Sequence, residues 1–337
     1  MVKTEQRASF QGRSRRIALR ILRHESINLL LVLAAVIGIA SSVTGGMAAT
    51  RSNMMNTLLR SSISGVAAIG QSFVILTAGI DLSVGGVGLF ASIIGASLMT
   101  HSLYQNPLGV AVPVGIGIIT ILGAGAGLGA VNGLSVSRLG VPSLIATLAM
   151  WQIAKGLGFA VCKGLTIHRL PDALSFFGSG AIGGFPVPGL IFIAGAVIAY
   201  LVLNFTTYGR SLYAVGGNAS SAWLSGINVK RQLLTVYVIS GFCAGLAGVM
   251  FTGRILCASM GTLLGLEIDS IIAASLGGIS LMGGRGNIIG VVIGVLILGV
   301  INNTLSLVGA DPAVQGLAKG AIIFSAVSVD VLRRRDR

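Results

Sequence analysis

Charged side chains are scarce in this chain, and the few that interrupt its apolar runs are where chemistry could reside. Asp81 and Ser83 stand in ILTAGIDLSVGG (Ile75–Gly86), just after one apolar run and before the next. A carboxyl group at such a break can accept the free N–H groups of a helix beginning near Leu82. It could instead carry a proton or touch a passing solute, since ionisable residues inside membranes are commonly functional. Glu267 and Asp269 open another apolar run and face the same choice. Arg60, Lys155, Arg254 and Lys319 lie within or at the ends of runs. Each can pair with an acid, extend to lipid headgroups, or donate to a hydroxyl-rich solute. Pairing is the expected role of each.

Catalytic constellations are missing. The sequence has no GxxxxGK[ST], HExxH, GxSxG or CxxC, and GGRGN (Gly283–Asn287) is too short for a phosphate loop and lacks its lysine. His24, His101 and His168 are scattered, and Cys162, Cys243 and Cys257 lack ligand spacing. Neither a metal nor a cofactor is expected. An intramembrane enzyme would need a converging acid, base or nucleophile, and no such set is visible.

Composition dictates the elements that must position these groups. Of 337 residues, 54% are hydrophobic and 9% charged, whereas a soluble domain carries about a quarter charged residues. Nine acids and 23 bases cannot cover such a globule with water-facing charge, so its surface faces lipid. Fifty glycines agree with close helix packing in lipid. Crossing the hydrocarbon takes roughly 20 residues. About ten apolar runs approach that length: 27–43, 55–78, 86–101, 108–131, 143–162, 186–204, 233–253, 267–282, 287–308 and 313–331. The third and eighth are short and glycine-interrupted. The reading is an all-α, polytopic membrane protein with about ten transmembrane helices. Residues 1–26 form a basic N-terminal segment, 27–332 a single transmembrane unit, and 333–337 a basic tail.

The net charge of +14 invites a nucleic-acid reading, but the bases are placed for orientation. Lys3, Arg7, Arg13, Arg15, Arg16, Arg20 and Arg23 precede the first run, and Arg333, Arg334, Arg335 and Arg337 follow the last. With both termini inside, inner loops add Arg138, Arg210, Lys230, Arg231 and Arg285, so sixteen of the 23 bases are cytoplasmic. Nucleic-acid binding is not expected. The first run could imitate a signal peptide, but further spans follow at once, so an uncleaved helix is expected.

The longest inner loop spans about 205–232. Within it Asn218 to Leu224 reads as a short helix with Asn218 as N-cap and Gly226 as its stop. Trp223, Leu224 and Ile227 would face the cytoplasm, and exposed apolar residues there suggest a docking surface rather than a solvated linker. A weak repeat is also present. GIDLSVGG (Gly79–Gly86) resembles GISLMGG (Gly278–Gly284), and Asn132 and Pro142 recur as Asn302 and Pro312. The two halves, spans 2–5 and 7–10, would be inverted repeats, an arrangement common in transporters. GxxxG spacings at Gly123–Gly127, Gly125–Gly129, Gly129–Gly133, Gly241–Gly245 and Gly290–Gly294 predict close helix crossings. A transporter driven by an ion gradient, with Asp81, Glu267 or Asp269 as proton carrier, remains an alternative.

Three long segments carry a family resemblance. VILTAGIDLSVGG (Val74–Gly86), AVGGNASSAWLSGINV (Ala214–Val229) and EIDSIIAASLGGISLMGGRGNIIGVVIGVLILGVINN (Glu267–Asn303) resemble the inner-membrane permease subunits of ribose-, xylose- and arabinose-type ABC importers. The resemblance covers about residues 55–332, with the three segments in the same order and at similar spacing. It implies a non-catalytic permease subunit for a simple sugar in a bacterial inner membrane. It also implies a separate cytoplasmic ABC ATPase, a periplasmic sugar-binding protein, and a second permease copy or paralogue. By the same resemblance, Gly216, Gly217, Asn218, Trp223, Leu224, Gly226 and Ile227 would couple to the ATPase. Ala222–Trp223 departs from the family's more usual Ala-Arg pair, which alters the docking contacts rather than the loop's role. Polar groups expected along the solute path are Asp81, Ser83, Asn132, Ser280 and Asn302.

Overall fold

The computed structural model describes residues 25–102 and 105–335. The basic segment before residue 25 and the last two residues, with Arg337, lie outside the described residues. Among the described residues nearly all the regular structure is helical. The elements are α1 (Glu25–Val43), α2 (Arg51–Leu76), α3 (Val84–Met99), α4 (Val114–Ser137), α5 (Ser143–Cys162), the short α6 (Ser175–Ser179), α7 (Val187–Phe205), α8 (Thr207–Gly217), α9 (Ala219–Leu224), α10 (Val229–Ile255), α11 (Leu266–Leu276), α12 (Ile288–Leu307) and α13 (Pro312–Arg335). A small antiparallel pair, β1 (Ala181–Ile182) and β2 (Phe185–Pro186), precedes α7. Among the described residues six helices, α2, α4, α5, α7, α10 and α12, are long and apolar enough to cross a bilayer.

Every apolar run meets a helix, though two differ from expectation. The run at 108–131 is displaced to Val114–Ser137 because Pro113 occupies the N-cap, with turn and bend residues at 107–110 ahead of it. At the other end Asn132 and Ser135 stay helical, since helix alone satisfies backbone groups in an apolar setting. The run at 267–282 yields only Leu266–Leu276, eleven residues, or about 16 Å of rise. That is half a bilayer, so α11 is a broken helix rather than a span.

The core is built around α2. From Ser61 to Leu76 nearly every residue is buried, enclosed by α7, α10, α11 and α12. Helices α4 and α10 cross most closely. A Cβ on Gly125 would lie 2.4 Å from the Gly241 carbonyl oxygen, and one on Gly129 would lie 2.3 Å from that of Tyr237. Of the GxxxG spacings read from the sequence, Gly125–Gly129–Gly133 and Gly241–Gly245 therefore make this crossing. Gly290 and Gly294 pack on α11, where Cβ atoms would meet the carbonyls of Gly277 and Ala273. Gly123 and Gly127 face open space. Helix α3 is sixteen residues long and buried on nearly every side, so its short length is no obstacle inside the protein. The outward faces are apolar instead. Ile145, Ile153 and Phe159 on α5 and Val197 and Ile198 on α7 are each more than half exposed, the surface expected against lipid.

Candidate functional site

Two helix ends frame the site, and both use the same local chemistry. Helix α2 stops because Ala78 adopts a left-handed conformation (φ 62°), with Ala78 N–H donating to the Ile75 carbonyl and Gly79 N–H to that of Val74. Helix α11 stops the same way, with Gly278 at φ 85° and the N–H groups of Gly278 and Ile279 donating to Ser275 and Ala274. Both are Schellman closures. The repeated sequences are offset by one residue in this geometry, since Gly79 matches Gly278 in sequence while Ala78 matches it in conformation.

Asp81 sits at the first break, 1% exposed. Its Oδ1 accepts from the Ser83 N–H at 2.9 Å and from Ser83 Oγ at 2.5 Å. Its Oδ2 accepts from Ser240 Oγ of α10 at 2.7 Å. Asn132 Nδ2 of α4 donates to Ser83 Oγ at 2.8 Å. With its amide oriented by its partners, Gln71 spans the Asp81 backbone, meeting its N–H and carbonyl at 3.1 Å each. Thr147 Oγ1 of α5 accepts from the Leu82 N–H at 3.1 Å. Thus Asp81, Ser83 and Asn132, expected along a solute path, come together in a closed network that joins α2, α3, α4, α5 and α10. The expected helix cap is not formed: α3 begins at Val84 with Ser83 as an N-cap that makes no side-chain cap, and Asp81 accepts the Ser83 N–H ahead of the helix instead. Ser240 and Thr147 escaped sequence reasoning. Gln71 carried a signal, because an amide in IGQSFVIL needs partners in an apolar helix.

At the opposite end of α2 a cavity of about 230 Å³ opens between α2, α10, α11 and α12. Arg60, Ser61, Arg254, Asp269, Asn302 and Asn303 line it. Ser61 Oγ and Asn302 Oδ1 are buried without a hydrogen-bond partner. Of the polar residues expected on a solute path, Asn302 alone lines this cavity. Ser280 lies in the second break, 5% exposed, with its N–H donating to the Arg285 carbonyl at 3.1 Å. Lys319 Nζ of α13 pairs with Asp269 Oδ1 at 2.7 Å, the one ion pair among the described residues. Lys155 Nζ lies over the Trp151 ring, 4.7 Å from its centroid. Glu267 and Asp269 occupy the first turn of α11, but the N-cap is Gly265 and makes no side-chain cap. Among the described residues, no cluster of His, Cys, Asp or Glu could hold a metal.

The stretch 205–232 is more ordered than a loop. Helix α8 leads into α9, with Asn218 Oδ1 accepting the Ser221 N–H at 2.9 Å. Gly226 (φ 83°) closes α9, its N–H donating to Trp223 and that of Ile227 to Ala222. Trp223 and Leu224 are 68% and 78% exposed, while Ile227 is half-buried. Beneath them Leu212, Val215 and Ala222 are buried, and Tyr208 shares a 2.9 Å hydrogen bond with Thr235 of α10.

Residues 53–327 match the family described as "Branched-chain amino acid transport system / permease component". The chain belongs to this permease family. It is 36% identical over 318 residues to the ribose import permease protein of Escherichia coli (strain K12), covering 92% of this chain and 94% of that one. It is 37% identical over 300 residues to the fructose import permease protein of Rhizobium meliloti, covering 86% and 80% of the two chains. Against the L-arabinose ABC transporter permease protein of Azospirillum brasilense the identity is 35% over 288 residues, covering 86% and 82%. No solved structure matches the chain. As a member of this permease family it is a multi-pass inner-membrane protein and performs no catalysis of its own. ATP hydrolysis belongs to a separate subunit.

Proposed function

We propose that this permease forms the translocation path of a bacterial ABC importer for a simple sugar. The sugar is delivered by a periplasmic binding protein, and a cytoplasmic ABC ATPase drives its passage. A second permease copy or a paralogue completes the path. The observation that carries this reading is α9, a capped six-residue helix held on a buried seat with Trp223 and Leu224 projecting outward. Large apolar side chains held out in this way suit a protein partner. Gly216, Gly217, Asn218, Gly226 and Ile227 shape and seat the same docking surface.

In this reading both termini are cytoplasmic, residues 27–332 form one membrane unit, and about ten helices cross or enter the bilayer. The basic residues support that orientation, since Arg210, Lys230, Arg231 and Arg285 flank α9 and the second break. The repeat is inverted. Asn132 and Asn302 each lie five residues before the end of their helix. One bonds Ser83 beyond the end of α2, while the other faces Ser61 in its outer half. The cavity then opens toward the periplasm, where Ser61, Asn302 and Asn303 offer donors and acceptors to sugar hydroxyls. Asp81, Ser83 and Asn132 frame the inner end of the path, and Ser280 belongs to the second break. ATP binding moves α9, and the helices rock to open the path alternately to each side.

The test is reconstitution in liposomes with the ATPase and binding protein. ATP-dependent uptake of a pentose or hexose is expected. Uptake by the lone chain on a proton gradient, without ATPase, would overturn the reading.

A further inference from the structure

Backbone meets backbone where α8 passes the two helix breaks. A Cβ on Gly216 would lie 1.7 Å from the Leu76 carbonyl oxygen and 2.6 Å from the Gly284 nitrogen. The Gly284 N–H donates to that same Leu76 carbonyl at 2.9 Å. Gly283 and Gly284 both have left-handed backbones, at φ 80° and 72°. A Cβ on Gly283 would come within 2.6 Å of Ala78 N and 2.9 Å of Gly216 O, and one on Gly284 within 2.8 Å of Gly217 N. Tyr213 of α8 adds a side-chain tie, its hydroxyl donating to the Gly286 carbonyl at 2.9 Å. The end of α2, the end of α8 and the loop after α11 therefore touch without intervening side chains.

Such a junction has no soft layer. Side chains can change rotamer to absorb a shift, whereas close-packed backbone transmits it. The segments joined are also those best able to respond, because both breaks lack continuous helical hydrogen bonding and can take up φ/ψ changes as hinges do. The α2 break leads into the Asp81 network, and the α11 break leads into α12, which lines the cavity. We infer that the junction of Gly216, Leu76 and Gly284, tied by Tyr213, passes movement of α9 to both helix breaks at once. Tyr213 and Gly284 are positioning residues of this device. The inference rests on the importer reading above.

The test compares sugar imported per ATP hydrolysed in liposomes holding the full importer with Tyr213→Phe or Gly284→Ala permease. Tyr213→Phe removes one hydrogen bond and keeps the ring. The ratio is expected to fall about fivefold, the effect of one net hydrogen bond on an equilibrium. Gly284→Ala inserts a methyl group between the loop and α8 and is expected to lower the ratio further. Both variants should still copurify with the ATPase, which separates transmission from docking. A purely structural defect lowers the amount of importer and leaves the ratio unchanged. If Gly284→Ala does not insert, Tyr213→Phe alone decides. Wild-type ratios in the inserted variants, or loss of the ATPase from them, would overturn the inference. Absence of ATP-driven uptake by the wild-type importer would instead refute the importer reading.

Discussion

Ser240→Ala tests whether the Asp81 network holds the helices together. Ser240 is 1% exposed, and its hydroxyl donates to Asp81 Oδ2 at 2.7 Å across 159 residues of sequence. Hydrogen bonds between membrane helices average about 0.6 kcal/mol and reach about 1.7. This one belongs near the top of that range for two reasons. Both partners are fully buried, so no water replaces the lost donor, and leaving a buried acceptor short costs about 1–3 kcal/mol. The Asp81 carboxyl keeps its two bonds from Ser83, which limits the loss. The expected destabilisation is about 1.5 kcal/mol, or roughly a tenfold rise in the unfolding equilibrium constant. Reversible unfolding in mixed micelles measures it. Ser211→Ala, whose hydroxyl bonds only the Thr207 carbonyl on an exposed part of α8, is the control and should change stability by less than about 0.5 kcal/mol. A double-mutant cycle with Asp81→Asn should give a coupling of about 1 kcal/mol. If Ser240→Ala matched the control, or the cycle showed no coupling, the network would be incidental packing.

Gly125→Leu should prevent α4 and α10 from packing and abolish folded protein, while Gly123→Leu, on open surface two residues away, should fold normally; size-exclusion profiles in detergent distinguish them. Lys319→Met leaves Asp269 without its ion-pair partner and should cost about 1 kcal/mol at this partly buried site, with Asp269→Asn restoring part of the loss in the double variant. Trp223→Asp should leave the protein inserted while uncoupling ATP hydrolysis from uptake, and wild-type uptake would reduce α9 to a linker. Reporter fusions after Lys230 and near Pro171 should read cytoplasmic and periplasmic respectively, and the reverse pattern would invert the topology.

Local features were legible in the sequence because neighbouring residues decide them. The apolar runs set out the helices, since an apolar environment leaves the backbone no other hydrogen-bond partner. Asn218 and Gly226 marked the limits of α9, because capping needs only the residues at a helix end. The family was legible too, in three segments that all lie within the matched residues 53–327. The shortness of α11 was half visible in its glycines, but the stop at Leu276 depends on a left-handed Gly278.

Contacts between distant segments were decided by the tertiary structure alone. Nothing near Asp81 identifies Ser240 as its partner, because the pairing depends on how α10 is rotated against α2. Gly123 and Gly125 look alike in the chain, yet one faces open space and the other the backbone of α10. A helix advances about 100° per residue, so two positions apart is most of the way to the opposite face, and only packing says which face is inside. The same holds for Gly216, which the sequence marked only as part of the loop expected to couple to the ATPase. Its place between Leu76 and Gly284 exists only once two helix breaks, some two hundred residues apart, have been folded against the end of α8.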